Sequence, residues 1–221
     1  MIPLRDVIPS RTWPGVTVSI LAVNVAVFLL QSSLGDANQQ AFLFAFGLVP
    51  ADVRLAAVVT SMFVHAGFFH IAGNMLYLWI FGDNVEDRLG HGRFVVFYFA
   101  CGAAAALAQV YASPASTAPM VGASGAIAGV MGAYFVLYPR SRVLTLIPFP
   151  LILLELPAVA LLGFWFLVQF LSGLGSLATI GAGDTTGGIA FWAHAVGFLT
   201  GAALVRPLSR PEREAVDWWH Q

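Results

Sequence analysis

Four polar side chains interrupt an otherwise apolar chain where they could do chemistry. Ser124, His194, His70 and Asn74 lie near the ends of the second, fourth and sixth of six apolar stretches, and simple topology puts those ends on one side of a bilayer. Holding such groups at membrane depth is costly, so they point to function. His70 and Asn74 are spaced i, i+4 and share one helix face. A serine, two histidines and an asparagine gathered at one depth suggest nucleophilic chemistry inside a membrane.

Composition agrees with that setting. Of 221 residues, 59% are hydrophobic and 10% charged, and the mean hydropathy is +0.83, whereas a soluble domain carries about 25% charged residues. This is the composition of a polytopic membrane protein. No interval between the apolar stretches is long and polar enough to fold alone, so a single membrane domain is expected. Cys101 is the only cysteine, which excludes an intramolecular disulfide. The net charge of −1 gives no reason to expect a nucleic-acid partner.

The spans read as Val16 to Gln31, Phe68 to Val85, Phe94 to Tyr111, Val121 to Leu137, Leu151 to Leu171 and Ile189 to Val205. The expected architecture is an all-α bundle of six transmembrane helices. Residues 1–15 form a short cytoplasmic tail with no cleavage-site pattern after it, 16–205 the membrane domain, and 206–221 a second cytoplasmic tail. Trp13 and Trp79 suit an interfacial aromatic belt.

There are no lysines, and the ten arginines orient the bundle. Arg5, Arg11, Arg88, Arg93, Arg140, Arg142, Arg206, Arg210 and Arg213 fall on one side and Arg54 alone on the other. The positive-inside rule then puts both termini in the cytoplasm, as in a multi-pass protein of the cell (inner) membrane. Among the outward loops, Ser32 to Gly67 is long and apolar. Its pieces Gln40 to Phe46 and Asp52 to Phe63 have the character of short interfacial helices. The fifth loop, Ser172 to Gly188, is rich in glycine and is expected to move.

At 1.5 Å per residue, His70, Ser124 and His194 fall within about 10 Å of the outer helix ends, with Asn74 one turn deeper. Ser124 stands in Gly122-Ala123-Ser124-Gly125, followed by Gly129 and Gly132, and the sixth span carries Gly197 and Gly201. Small residues at such spacing let helix backbones approach closely. Gly122, Gly125, Gly129, Gly197 and Gly201 are therefore expected to pack the fourth span on the sixth and bring Ser124 near His194. A serine in such a pattern alone would more often be packing or bonded back to a carbonyl.

The combination carries more. His70-Ile71-Ala72-Gly73-Asn74, Gly122-Ala123-Ser124-Gly125 and Ala193-His194-Ala195-Val196-Gly197 resemble the three signature elements of the rhomboid intramembrane serine proteases, in that family's order. Glu86-Asp87-Arg88-Leu89-Gly90 is similar to the family as well, and the likeness covers about residues 13–206. The resemblance implies an endopeptidase that cuts transmembrane segments near the outer face, at small or helix-breaking residues. It implies Ser124 as nucleophile, His194 as general base, and an oxyanion hole of His70, Asn74 and the Ser124 N–H, with no cofactor and no metal. The residue types suit these roles. One departure is Ala128, where many relatives carry an aromatic stacked on the histidine. Trp192 and Tyr134 are the nearest aromatic candidates to take its place.

The remaining polar residues read as follows. Glu155 is the carboxylate inside the fifth span, too far from the outer cluster to join it, and Gln169, Asn24 and Gln31 suit interhelical hydrogen bonds. His65, just before the second span, suits a solvated boundary. Phe164 and Trp165, with Pro157 and Gly163, mark the fifth span as a lateral substrate gate. Gly181-Ala182-Gly183-Asp184 resembles the GxGD signature of aspartyl intramembrane proteases but has no second intramembrane aspartate, and HExxH is absent. A catalytically inactive relative that binds membrane proteins, or a small polytopic transporter, are the alternative readings. The expected partners are transmembrane substrates and the lipid bilayer.

Overall fold

The computed structural model describes residues 1–180 and 190–210, and the side chains of all of these except 177–180. In chain order its elements are strand β1 (Ile2–Asp6), helices α1 (Gly15–Ser32), α2 (Asp36–Phe46) and α3 (Ala57–Thr60), a 3-10 turn (Ser61–Phe63), α4 (Phe68–Leu89), α5 (His91–Ala112) and α6 (Ser124–Leu137). Strands β2 (Arg142–Ile147) and β3 (Ile152–Pro157) then lead into α7 (Ala158–Ile180) and α8 (Phe191–Leu208). The fifth loop beyond residue 180, with Gly181 to Asp184, and the tail beyond 210 lie outside the described residues. Residues 172–180 of that expected loop are helical, as the end of α7.

Small residues decide which helix sits at the centre. Every residue of α6 from Gly125 to Tyr134 is buried. A side chain at Gly132 would collide with the Phe198 carbonyl of α8, one at Gly201 with the Gly129 carbonyl, and one at Gly129 with Cys101 of α5. The α6 and α8 backbones therefore touch, as the glycine spacing predicts. Phe81, Phe94, Phe97, Tyr98, Met131 and Leu162 fill the space around them.

The fold is mostly helical rather than all-α. Ile152–Pro157, expected inside the fifth span, is a strand pairing antiparallel with β2, with Leu144 opposite Glu155. β1, expected as a tail, pairs with the other edge of β2. Glu155 is accordingly exposed on a strand. An unbroken apolar run does not distinguish strand from helix; here Pro148 and Pro150 interrupt any helix, and Phe149, Leu151 and Leu153 project from the hairpin.

By length and apolarity, α1, α5 and α7 can each cross a membrane, and α3 with its 3-10 turn and α4 form a further pair bent by 95°. At 14 residues, α6 is shorter than its expected span because residues 121–123 form a turn before it. The chain is a polytopic membrane protein.

The long connection after α1 is tied to the turn that leads into Ser124. Leu48 and Met120 exchange both backbone hydrogen bonds (2.9 and 2.8 Å), and the Gly122 N–H donates to the Ser61 carbonyl at 2.8 Å. The Gln31 amide donates to the His65 carbonyl at 2.6 Å, which anchors the approach to α4. At the other end of α4, Glu86 is fully buried and its carboxylate accepts the N–H groups of Val16 and Thr17 at 2.9 and 2.7 Å and meets His91 Nδ1. A carboxylate at this position satisfies orphan donors of the α1 N-terminus and complements its dipole.

Candidate active site

Three helix N-termini converge on one point. Ser124 is the first residue of α6, His70 the third of α4 and His194 the fourth of α8. Ser124 Oγ lies 2.8 Å from His194 Nε2, a distance at which the hydroxyl can donate to the ring nitrogen. The other ring nitrogen, Nδ1, is 2.8 Å from Oε1 of Gln169 on α7. Ser124, His194 and Gln169 are each partly buried.

Gly122 explains how the α4 side of this cluster is built. Its φ is +117°, a region that disfavours any residue with a side chain. A Cβ there would stand 2.7 Å from both Cε1 and Nε2 of His70 and 3.5 Å from Nδ2 of Asn74. The glycine thus lets two N–H-bearing side chains reach the backbone just before Ser124. Asn74 is 8% exposed, and its Nδ2 has no partner among the described residues. Gly122 therefore packs against side chains of α4 rather than helix on helix. Gly125, Gly129, Gly197 and Gly201 do lie in the contact between α6 and α8.

The helix geometry adds to the electrostatics. The first N–H groups of α6 have no intrahelical partner, and the positive end of its dipole faces the Ser124 side of the site. Negative charge developing there would be favoured. A small cleft of about 30 Å³ opens at Ser124, and Gly102, Ala105, Ala106, Gly125, Ala126 and Met62 are among its lining residues. Glycine and alanine supply most of its lining, with Met62, Met120 and Val121 the larger side chains and Ser61 and Ser124 the polar ones.

The ring expected near His194 is neither Trp192 nor Tyr134. Trp192 packs edge-on to Phe170, with their centroids 6.1 Å apart, and Tyr134 hydrogen-bonds Asp6 and Ser141 at the far end of α6. Ala128 is fully buried, and a side chain added at Gly197 would stand 3.4 Å from its Cβ. Trp165 of α7 has its centroid 5.8 Å from that of His194 and also contacts Phe198. Of the two expected gate residues, only Phe164 faces outward, at 53% exposure. Pro157 ends β3 just ahead of α7 and leaves that helix intact. His65 is fully buried, with its ring centroid 5.2 Å from that of His70 and neither ring nitrogen partnered among the described residues.

Gln169 is the neighbour of His194 that the sequence suggests only as a generic helix contact. The signal was present: Trp165 and Gln169 are spaced i, i+4 and share a face of α7.

Comparison with known proteins bears on most of the chain. The family model for the Rhomboid domain matches residues 53–211. Rhomboid protease GluP of Bacillus subtilis (strain 168) is 32% identical over 170 residues, 74% of this chain and 32% of that protein. The mitochondrial Rhomboid protein 1 of Saccharomyces cerevisiae is 33% identical over 132 residues, 57% of this chain and 37% of that protein. Rhomboid protease GlpG of Klebsiella pneumoniae is 36% identical over 81 residues, 36% of this chain and 29% of that protein. The chain spans about a third of the length of these relatives. With a family model over most of its length, and apolar helices folded around the segments that carry the resemblance, this chain belongs to the rhomboid family.

Proposed function

We propose that this protein is an intramembrane serine endopeptidase that cleaves transmembrane segments of other membrane proteins. The observation that carries the reading is the 2.8 Å contact between Ser124 Oγ and His194 Nε2 at the meeting of three helix N-termini. Ser124 is the nucleophile. His194 takes its proton as Oγ attacks the scissile carbonyl, then gives that proton to the leaving amine. His70, Asn74 and the Ser124 N–H receive the oxyanion, which a water-poor setting makes more valuable than in water. Water then attacks the acyl-enzyme with His194 again as base, and Ser124 is regenerated. The small volume of the cleft at Ser124 supports a preference for small residues at the cut.

The same reading takes the chain as six spans of a cell (inner) membrane, with both termini cytoplasmic and the site near the outer face. The nine-to-one arginine split supports it.

Reconstitution in vesicles with a transmembrane substrate, alongside labelling by a fluorophosphonate, tests the proposal. Wild type should be labelled and should cleave, and Ser124→Ala should do neither. A folded protein that neither labels nor cleaves would leave the alternative of a non-catalytic factor that binds membrane proteins. A reporter fused after Arg210 that reads as external would overturn the topology.

A further inference from the structure

The histidine of a serine–histidine pair has two nitrogens, and only one arrangement works. Nε2 must be unprotonated toward the serine, so Nδ1 must carry the proton, and a group that accepts from Nδ1 fixes both tautomer and ring orientation. In soluble serine proteases a buried carboxylate does this. Among the described residues no carboxylate hydrogen-bonds His194. Gln169 Oε1 is at 2.8 Å from Nδ1.

We propose that Gln169 is the positioning residue for His194, its side-chain carbonyl accepting the Nδ1–H so that Nε2 is held as acceptor toward Ser124. This rests on the serine protease reading above and extends it to α7. A neutral amide suits the depth, since an ionised carboxylate would be costly to bury there. Oε1 cannot take the proton, so when Nε2 receives the Ser124 proton, Nδ1–H stays bonded to Gln169 and the imidazolium keeps its orientation. Trp165, one turn earlier, lies beside the same ring. The base is thus held from α7, a helix with Phe164, Leu167, Val168, Leu171 and Leu174 exposed.

The test compares Gln169→Met, which keeps length and volume but accepts nothing useful, with Gln169→Glu, which restores an acceptor at the same atom. Loss of a hydrogen bond that orients a functional histidine costs on the order of 10- to 100-fold. Gln169→Met should lower kcat by that factor with KM little changed, and Gln169→Glu should recover part of the loss. Nitrogen NMR of labelled His194 provides a readout independent of turnover: wild type should show the Nδ1–H tautomer and Gln169→Met a mixture. Thermal unfolding of each variant reports whether it is folded. A Gln169→Met protein with wild-type kcat, or with an unchanged tautomer, would overturn the proposal. If wild type shows the Nδ1–H tautomer but neither labels nor cleaves, the protease reading has failed while the positioning contact stands.

Discussion

Gly197 of α8 stands against the carbonyl oxygen of Gly125, the residue immediately after Ser124. No side chain separates the two backbones there, and His194 lies one turn before Gly197 on the same helix. The distance between Ser124 and His194 is therefore set by a contact that only glycine allows. Gly197→Val should push the helices apart, because overpacking a tight interface costs about 1–3 kcal/mol, and a displacement near 1 Å can cost about 10²-fold in rate. Gly197→Ala should fall between. Fluorophosphonate labelling rates read the loss, and full activity in Gly197→Val would show that this glycine does not set the geometry.

Ser124, His194 and Asn74 should grade differently. On the proposed mechanism Ser124→Ala removes the nucleophile and His194→Ala the base that touches it, so each should abolish cleavage, with the double variant no worse because the pair would act as a unit. Asn74→Ala deletes one oxyanion donor while the Ser124 N–H and His70 remain. Its loss should be about 10²- to 10³-fold, roughly 3–4 kcal/mol. Single-turnover cleavage of a transmembrane substrate checks the order. Well-folded Ser124→Ala that cleaves at the wild-type rate ends the serine protease reading.

How much of this was legible in the sequence depends on how each feature is encoded. The contact of Ser124 with His194 followed from the ends of the apolar stretches and from glycine spacing, both local signals. The β2–β3 hairpin did not, because Ile152 to Leu156 is as apolar as a span and only the partner strand reveals it. Gln169 and Glu86 were visible as residues but not as partners. One hydrogen-bonds a side chain 25 positions away and the other caps a helix 69 and 70 positions back, and single-sequence patterns carry no record of such pairings. Gly122 was read as a helix-packing residue because its positive φ, at a turn rather than in α6, has no sequence signature beyond the glycine itself.

Asp6 makes stability depend on pH. It lies on β1, outside the spanning helices, and accepts hydrogen bonds from Tyr134 and Asn84. Burial, with Asp83 nearby adding to it, pushes its carboxyl from 3.8 up to about 6 despite the opposing Tyr134 bond. A carboxyl whose pKa rises on folding favours the folded state when protonated. Its contribution is fully present below about pH 3.8 and is lost as pH rises through about 6. Asp6→Asn should therefore flatten the fall in unfolding temperature between about pH 4 and 6. An unchanged slope in the variant would assign that dependence to other groups.

Phe164 and Trp165 are neighbours on α7 that should respond in opposite directions. Phe164 faces outward on the helix expected from the sequence to gate substrate entry, whereas Trp165 touches the ring of His194. If lateral admission limits the rate, Phe164→Ala should speed cleavage of a transmembrane substrate by up to about tenfold, the equivalent of roughly 1.4 kcal/mol off a barrier. Its labelling by a small fluorophosphonate, which needs no lateral passage, should stay as in wild type. Trp165→Ala should slow both reactions, because it removes a wall of the base's pocket. Equal cleavage by Phe164→Ala and wild type would argue that α7 does not gate the site at this position. Faster cleavage by Trp165→Ala would return that residue to the gate and away from His194.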